Sequence, residues 1–234
     1  MKVLFVNEYL PQEMLGLMWL SRAIKDAGHQ TKALFIPDKQ WLAKIKEYDP
    51  DVLCYSVTTG IHTYMLEINR KVKEVAPRAL SIFGGPHPTF SPEMVEEDGV
   101  DAVCRGEGEF AMVELLNKLA AGEDYYDTDN FFFKHKRTGE IIKNGQRPLI
   151  QDIDELGYPD RDLVYDAGEI YRNSDRKVFV SQRGCPMPCS FCCHHAMKKK
   201  IYNARNGEYV RKRTVTLRTG EGYTAPGPRK LKKK

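Results

Sequence analysis

The sequence has no long apolar run: none of its 234 residues opens a stretch near the ~18 that a membrane-spanning helix needs. The start, Met1-Lys2-Val3-Leu4-Phe5-Val6, is apolar only as far as Asn7 and Glu8, too short for the core of a secretory leader. No internal repeat shows beyond an alternation of strand and helix patterns. Tryptophan occurs twice, as Trp19 and Trp41, each on a helical apolar face where packing accounts for it. Cysteine is sparse and uneven. Four of the six lie between Cys185 and Cys193, a clustering that argues against a disulfide framework and for metal binding in a reducing cytoplasm. Cys54 and Cys104 sit inside apolar strands and read as core thiols.

Charge is also uneven. From Lys198 to Lys234 there are thirteen Lys/Arg against two Glu, a net +11. The whole chain carries +4, so residues 1–197 carry −7 and the basicity belongs to the tail. Such a tail suits nucleic acid or an acidic surface, but its aromatics are only three scattered tyrosines, Tyr202, Tyr209 and Tyr223, and nucleic acid is not the expected partner.

Residues 1–123 alternate strand and helix. Strands are expected at Val3–Val6, Thr31–Ile36, Val52–Ser56, Leu80–Phe83 and Ala102–Arg105. Helices are expected over Met14–Ala27, from an N-cap at Asp38 towards Tyr48, around Tyr64–Val75, and from Gly-Glu-Gly-Glu to about Ala121. Short apolar strands between helices predict an α/β fold: a flavodoxin-like, doubly wound, five-stranded parallel sheet of order 2-1-3-4-5. Its ligands would bind beyond the C-terminal strand ends.

Residues 124–174 read as a small hairpin, Asn130 to Lys143 with its turn at Thr138-Gly139, then an acidic linker over Asp152–Asp166 with Pro159 and few apolar anchors. A strand at Lys177–Gln182 would open a further segment, 175–213. Residues 214–234, rich in Gly, Pro and Lys and lacking an apolar face, predict a disordered basic tail.

The most informative stretch follows that strand: Arg183-Gly184-Cys185-Pro186-Met187-Pro188-Cys189-Ser190-Phe191-Cys192-Cys193. Its first three cysteines are spaced C-x3-C-x2-C, and two prolines with a glycine keep the loop from becoming a regular helix. Three thiolates at that spacing can hold three irons of a [4Fe–4S] cluster and leave the fourth open. The alternative is a zinc site completed by His194 or His195. Cys193 is a spare. Glu107 and Glu109 look like a carboxylate pair, but at a helix start they also suit the macrodipole, and no catalytic residue is assigned.

Cys185-Pro-Met-Pro-Cys189-Ser-Phe-Cys192 is similar to the signature of the radical S-adenosylmethionine enzymes, including the aromatic Phe191. Ser56-Val-Thr-Thr-Gly60, Gly84-Gly-Pro-His-Pro-Thr89 and Arg105-Gly-Glu-Gly-Glu109 together resemble their cobalamin-binding N-terminal domain. The resemblance covers roughly residues 1–213. It implies cobalamin near Ser56, Thr58, Gly84, Gly85, Gly106 and Glu107, and a [4Fe–4S] cluster on Cys185, Cys189 and Cys192. It also implies S-adenosylmethionine on the open iron with Phe191 by its adenine, and an electron donor such as ferredoxin or flavodoxin.

The parent activity it implies is methyl transfer, ring formation or rearrangement through a 5′-deoxyadenosyl radical. The segment from Lys177 would be the opening of a partial (β/α) barrel, most of whose strands are missing, so weak or no catalysis is expected of this chain. Beyond Arg213 the sequence leaves the family pattern, which suggests a truncated or frame-shifted reading frame. The loop after the first strand, Asn7-Glu8-Tyr9-Leu10-Pro11-Gln12, lacks the histidine with which some cobalamin domains ligate cobalt, so any cobalamin would be free of a protein imidazole. His87 reads as a turn residue. Two non-enzymatic alternatives stand beside this: a cobalamin carrier with a vestigial cysteine loop, and a zinc-binding, nucleic-acid-associated protein.

Overall fold

The structure is a computed structural model and describes residues 1–9, 13–36, 40–174, 177–213, 218–219 and 223–224. The chain begins with strand β1 (Lys2–Glu8), helix α1 (Leu15–Asp26), β2 (Gln30–Ile36), α2 (Trp41–Tyr48), β3 (Val52–Ser56) and α3 (His62–Val75). It continues through β4 (Leu80–Gly84), the short α4 (Pro86–Phe90), β5 (Ala102–Cys104) and α5 (Glu109–Ala121). The five strands lie parallel in the order β2-β1-β3-β4-β5, as the sequence predicts.

Side-chain alternation along these strands sorts the core into two layers. Leu4, Val6, Leu53, Tyr55, Phe83 and Val103 face α2 and α3, meeting Ile45, Met65 and Val72. Val3, Phe5, Val52, Cys54, Ile82 and Cys104 face α1 and α5, meeting Leu17, Ile24, Met112, Leu115 and Leu116. The helices supply matching stripes. In α3, for example, Met65, Leu66, Ile68, Asn69 and Val72 are buried on one side. Asn69, fully buried, is satisfied there: its amide donates to the Gly99 carbonyl at 2.8 Å and its oxygen accepts from the Ser81 hydroxyl at 2.8 Å.

The hairpin is present as β6 (Phe131–Lys134) and β7 (Ile141–Lys143), but it is not a separate piece. β6 pairs antiparallel with β5, and β7 with β6, so the sheet has seven strands rather than five. The cause is the Phe run. Phe131 and Phe133 are fully buried in the α1/α5 layer, while Phe132 packs towards the other layer, the alternation of a strand covered on both sides.

Two further expectations need correction. The 152–166 stretch is anchored rather than loose. A 3-10 turn at Ile153–Leu156 buries Ile153 and Leu156, and helix α6 (Asp162–Tyr165) buries Leu163 and Val164. With helix α7 (Glu169–Arg172) contributing Tyr171, the side chains of Ile153, Leu156 and Val164 form a third cluster against Trp19, Met18 and Phe35, while Leu163 joins the α1/α5 layer. Nor is Lys177–Gln182 a strand. Val178 and Val180 pack on that third cluster as extended chain, and pairing begins only at β8 (Gln182–Arg183). After helices α8 (Cys193–Ala196) and α9 (Asn206–Tyr209), β8 is met antiparallel by β9 (Arg211–Lys212), and no barrel closes among the described residues.

Asp38, Leu10 to Gln12, and the expected disordered tail 214–234 apart from the paired Arg218–Thr219 and Tyr223–Thr224 lie outside the described residues. No described helix is long and apolar enough to cross a membrane.

Candidate functional site

The C-terminal ends of the parallel strands open into a cavity of about 770 Å³. One wall comes from the sheet: Phe5, Cys54, Ser56, Ile82, Gly84, Gly85, Cys104, Gly106 and Glu107. The opposite wall comes from the segment around the cysteines: Val180, Gln182, Arg183, Gly184, His194, Met197, Tyr202, Tyr209 and Arg211. Five of the seven expected cofactor contacts, Ser56, Gly84, Gly85, Gly106 and Glu107, therefore line one space. Thr58 stands exposed on the loop after β3, outside that lining, and Phe191 points outward at 92% exposure.

The strand-end turns are tightly built. The Ser56 backbone N–H donates to Asn7 Oδ1 at 2.9 Å, fixing β3 to β1 where the chain leaves the sheet. Gly85 has φ 95°, and a Cβ there would meet the Val57 carbonyl at 3.0 Å and Ser56 Oγ at 3.1 Å, so only glycine fits. Thr89, which the sequence reading did not single out, joins two of the turns. Its hydroxyl donates to the Gly85 carbonyl at 2.8 Å and accepts from the Gly106 N–H at 3.0 Å. The signal was the Gly84–Thr89 motif, read for its glycines alone.

His87 lies not in a turn, as expected, but inside the short helix α4, with its ring stacked on His62 at 3.8 Å between centroids and Nδ1 3.0 Å from Thr59 Oγ1. Burial and the neighbouring His62 hold it below the usual imidazole range. Burial pushes the Cys104 thiol up to about 12, and Cys54 is raised as well, which leaves both as inert thiols in the cavity wall.

Both oxygens of the Glu107 carboxylate are engaged. Its Oε1 accepts from Arg183 Nη1 at 3.0 Å, and its Oε2 from Arg211 Nη1 at 2.8 Å and from the Ile150 N–H at 3.0 Å. Its own N–H donates to Tyr202 Oη at 2.9 Å. Glu109 Oε1 accepts from Arg183 Nη2 at 2.5 Å. Burial pushes the Glu107 carboxyl up, but the Arg211 and Arg183 guanidiniums outweigh it and hold the group below the usual carboxylate range. Burial would lower Arg183, and Glu109 with Glu107 reverses that. The quartet is charge-balanced.

The cysteines sit beside this cavity and do not line it. Cys185, Cys189 and Cys192 are partly buried free thiols and Cys193 is exposed. Their donor chemistry suits an iron–sulfur cluster, but their arrangement does not: among the described residues no three His, Cys, Asp or Glu side chains come together as a metal set. His194, the alternative zinc ligand, has Nδ1 within 2.9 Å of the Tyr209 hydroxyl instead.

Residues 1–116 match the B12 binding domain family. That stretch is a B12-binding domain. Over 207 residues it is 31% identical to an "uncharacterized methyltransferase" of Pyrococcus horikoshii, covering 84% of this chain and 44% of that protein. Over 193 residues it is 31% identical to the anaerobic magnesium-protoporphyrin IX monomethyl ester cyclase of Cereibacter sphaeroides, covering 74% and 30%. The chain thus spans less than half the length of these relatives. Its fold is similar to that of TsrM, a radical S-adenosylmethionine methyltransferase from Kitasatospora setae solved with cobalamin and a [4Fe–4S] cluster, with a TM-score of 0.66 at 18% identity. That match covers 91% of this chain and 43% of TsrM. It extends beyond the B12-binding domain into the cysteine-bearing segment.

Proposed function

We propose that the chain holds cobalamin in the cavity at the strand ends and carries the cysteine loop of a radical S-adenosylmethionine enzyme, whose parent activity is methyl transfer or, as in the cyclase relatives, ring formation. The observation that carries this reading is that one cavity is walled on one side by the B12-binding domain and on the other by the segment bearing C-x3-C-x2-C. A corrinoid there would lie within reach of both. The Ser56, Gly84, Gly85 and Gly106 turns let the backbone approach a large ligand closely. The mainly apolar floor suits a ring system, and the Thr58 loop stands at the rim. When bound, corrinoid supplies methyl-carrying chemistry, and cluster with S-adenosylmethionine supplies radical chemistry.

For the iron site, the reading is that Cys185, Cys189 and Cys192 close on a cluster only as it assembles, with Phe191 then free to cover the adenine of S-adenosylmethionine and a ferredoxin- or flavodoxin-type donor delivering the electron. The chain's own residues orient and enclose; none is assigned an acid–base role. Residues 1–123 would form the cofactor domain, 124–174 the connection and 175–213 the cysteine segment. A second reading, a cobalamin carrier whose cysteine loop no longer binds iron, draws support from the ungathered sulfurs.

Anaerobic reconstitution followed by iron, sulfide and zinc analysis and a hydroxocobalamin titration separates the possibilities. Iron and sulfide in equal amounts, with saturable corrinoid binding, is expected. Corrinoid binding without iron identifies the carrier, and zinc without corrinoid removes both readings.

A further inference from the structure

Arg183 and Arg211 are cross-strand partners in β8–β9, one immediately ahead of Gly184 and Cys185 and the other closing the segment behind Tyr209. Like charges placed opposite one another oppose pairing. Both guanidiniums are largely withdrawn from water, with side chains 18% and 5% exposed, so solvent does little to screen them. Two-residue strands contribute too few backbone hydrogen bonds to overcome this. The pair nevertheless stands together, because the Glu107 carboxylate lies between: one oxygen takes Arg183, the other Arg211.

The same residue reaches the middle of the segment, its N–H donating to Tyr202 Oη. Next to it, Gly106 leaves the space that this hydroxyl fills; a Cβ there would overlap it. At the stem, Gly184 at φ 83° is packed directly on the Tyr209 carbonyl, so the two ends of the segment abut.

We infer that Glu107 is the positioning residue of the cysteine segment, a single carboxylate that fastens both stems of the 184–210 stretch to the strand-end face of the B12-binding domain. Glu109 seconds it on Arg183 alone. The Arg105–Glu109 motif then registers the cysteine loop over the cavity, and Glu107 is not itself a corrinoid contact.

The test compares Glu107→Gln with the double variant Glu107→Gln/Arg211→Gln in the full chain, by amide hydrogen exchange and by hydroxocobalamin titration. In the single variant, exchange at 182–183 and 211–213 is expected to accelerate by roughly a hundredfold, the order associated with leaving a buried charge unpaired. Exchange in β1, β3 and β4 stays unchanged. The double variant, which removes the arginine–arginine repulsion, restores most of the protection at 182–183. Three results overturn the inference: stem exchange unchanged in the single variant, protection lost equally across the whole sheet, or no recovery in the double. A large loss of corrinoid affinity with an undisturbed stem makes Glu107 a ligand contact instead. If wild-type chain binds no corrinoid, the exchange comparison still decides the role of Glu107.

Discussion

Glu13 and Arg161, 148 positions apart, meet at 2.6 Å with the Glu13 side chain only 2% exposed. Glu13 lies just after the loop that follows β1, and it also accepts from the Tyr165 hydroxyl at 2.7 Å and from the Val178 N–H at 2.8 Å. One buried carboxylate thereby ties the connection and the approach to the cysteines onto the B12-binding domain. Replacing Arg161 by Met leaves that carboxylate only the longer contact to the Lys177 ammonium at 3.9 Å, and a loss of about 3 kcal/mol, the low end for breaking a buried ion pair, is expected. Urea unfolding of the variant measures it, and Glu13→Gln/Arg161→Met should recover part of the loss.

Acid should loosen the same attachments. Burial pushes the Glu13 carboxyl up, yet bonds from the Val178 N–H, Tyr165 and Arg161 prevail, and its pKa falls below the ordinary 4.5; Glu107 is lowered likewise. A carboxylate depressed on folding contributes stability that is complete above its unfolded value and is lost as pH falls through the folded one. The cysteine segment should therefore detach below pH 4.5 and not between 5 and 8. Trp19 is a built-in reporter, with the Arg183 and Arg213 guanidiniums 5.2 and 4.9 Å from its ring centre. Its emission should shift in that acid window, and a shift centred near neutrality would contradict the assignment.

Gly85→Ala should be costly for a local reason. The residue sits at φ 95° with a would-be Cβ against the Val57 carbonyl and Ser56 Oγ, so a destabilisation of about 1–3 kcal/mol is expected. The distortion falls at the cavity wall, so hydroxocobalamin affinity should drop in parallel. Gly139→Ala, with the same sign of φ but open space around it, is the control that keeps affinity.

The six thiols should fall into classes on alkylation at pH 8. Cys104, with its pKa pushed up to about 12, and the equally buried Cys54 should resist iodoacetamide in the folded chain. Cys185, Cys189, Cys192 and Cys193 should label. After iron–sulfur reconstitution the first three should become protected and Cys193 stay reactive, and a chelator should reverse this. Peptide mass mapping reads every site, and protection of Cys193 in place of one of the others would revise the ligand set.

Phe133→Ala tests the enlarged sheet. The ring is fully buried and stacks on Phe131 at 5.2 Å between centroids, so about 3–5 kcal/mol should be lost. A thermal melt of the intact chain should show this as one cooperative transition shared with the parallel strands.

The parallel strands were legible because each is an apolar run buried on both faces, bounded by turn residues, and their order follows from crossover geometry. The hairpin was legible as a hairpin, but its docking was not: nothing local in Phe131 and Phe133 says which edge they will cover. The linker misled for a similar reason. Ile153, Leu156 and Val164 are too widely spaced to form a period, and side chains far away in sequence, Trp19 and Phe35 among them, give them something to bury against. At the site, the glycines announced their turns, whereas the partnership of Glu107 with two arginines 76 and 104 positions later is a tertiary fact. The sequence presents Glu107 and Glu109 as an ordinary acidic helix start.

One of the two edge strands of the sheet, Ile141–Lys143, is three residues long, only half-buried and ends in lysine. Had the sheet stopped at β5, its open ladder would have offered a neighbouring molecule a row of unpaired amides flanked by apolar side chains. With the hairpin in place that invitation is reduced, at this edge, to a stub carrying positive charge, so concentrated samples should resist joining one sheet to the next through it.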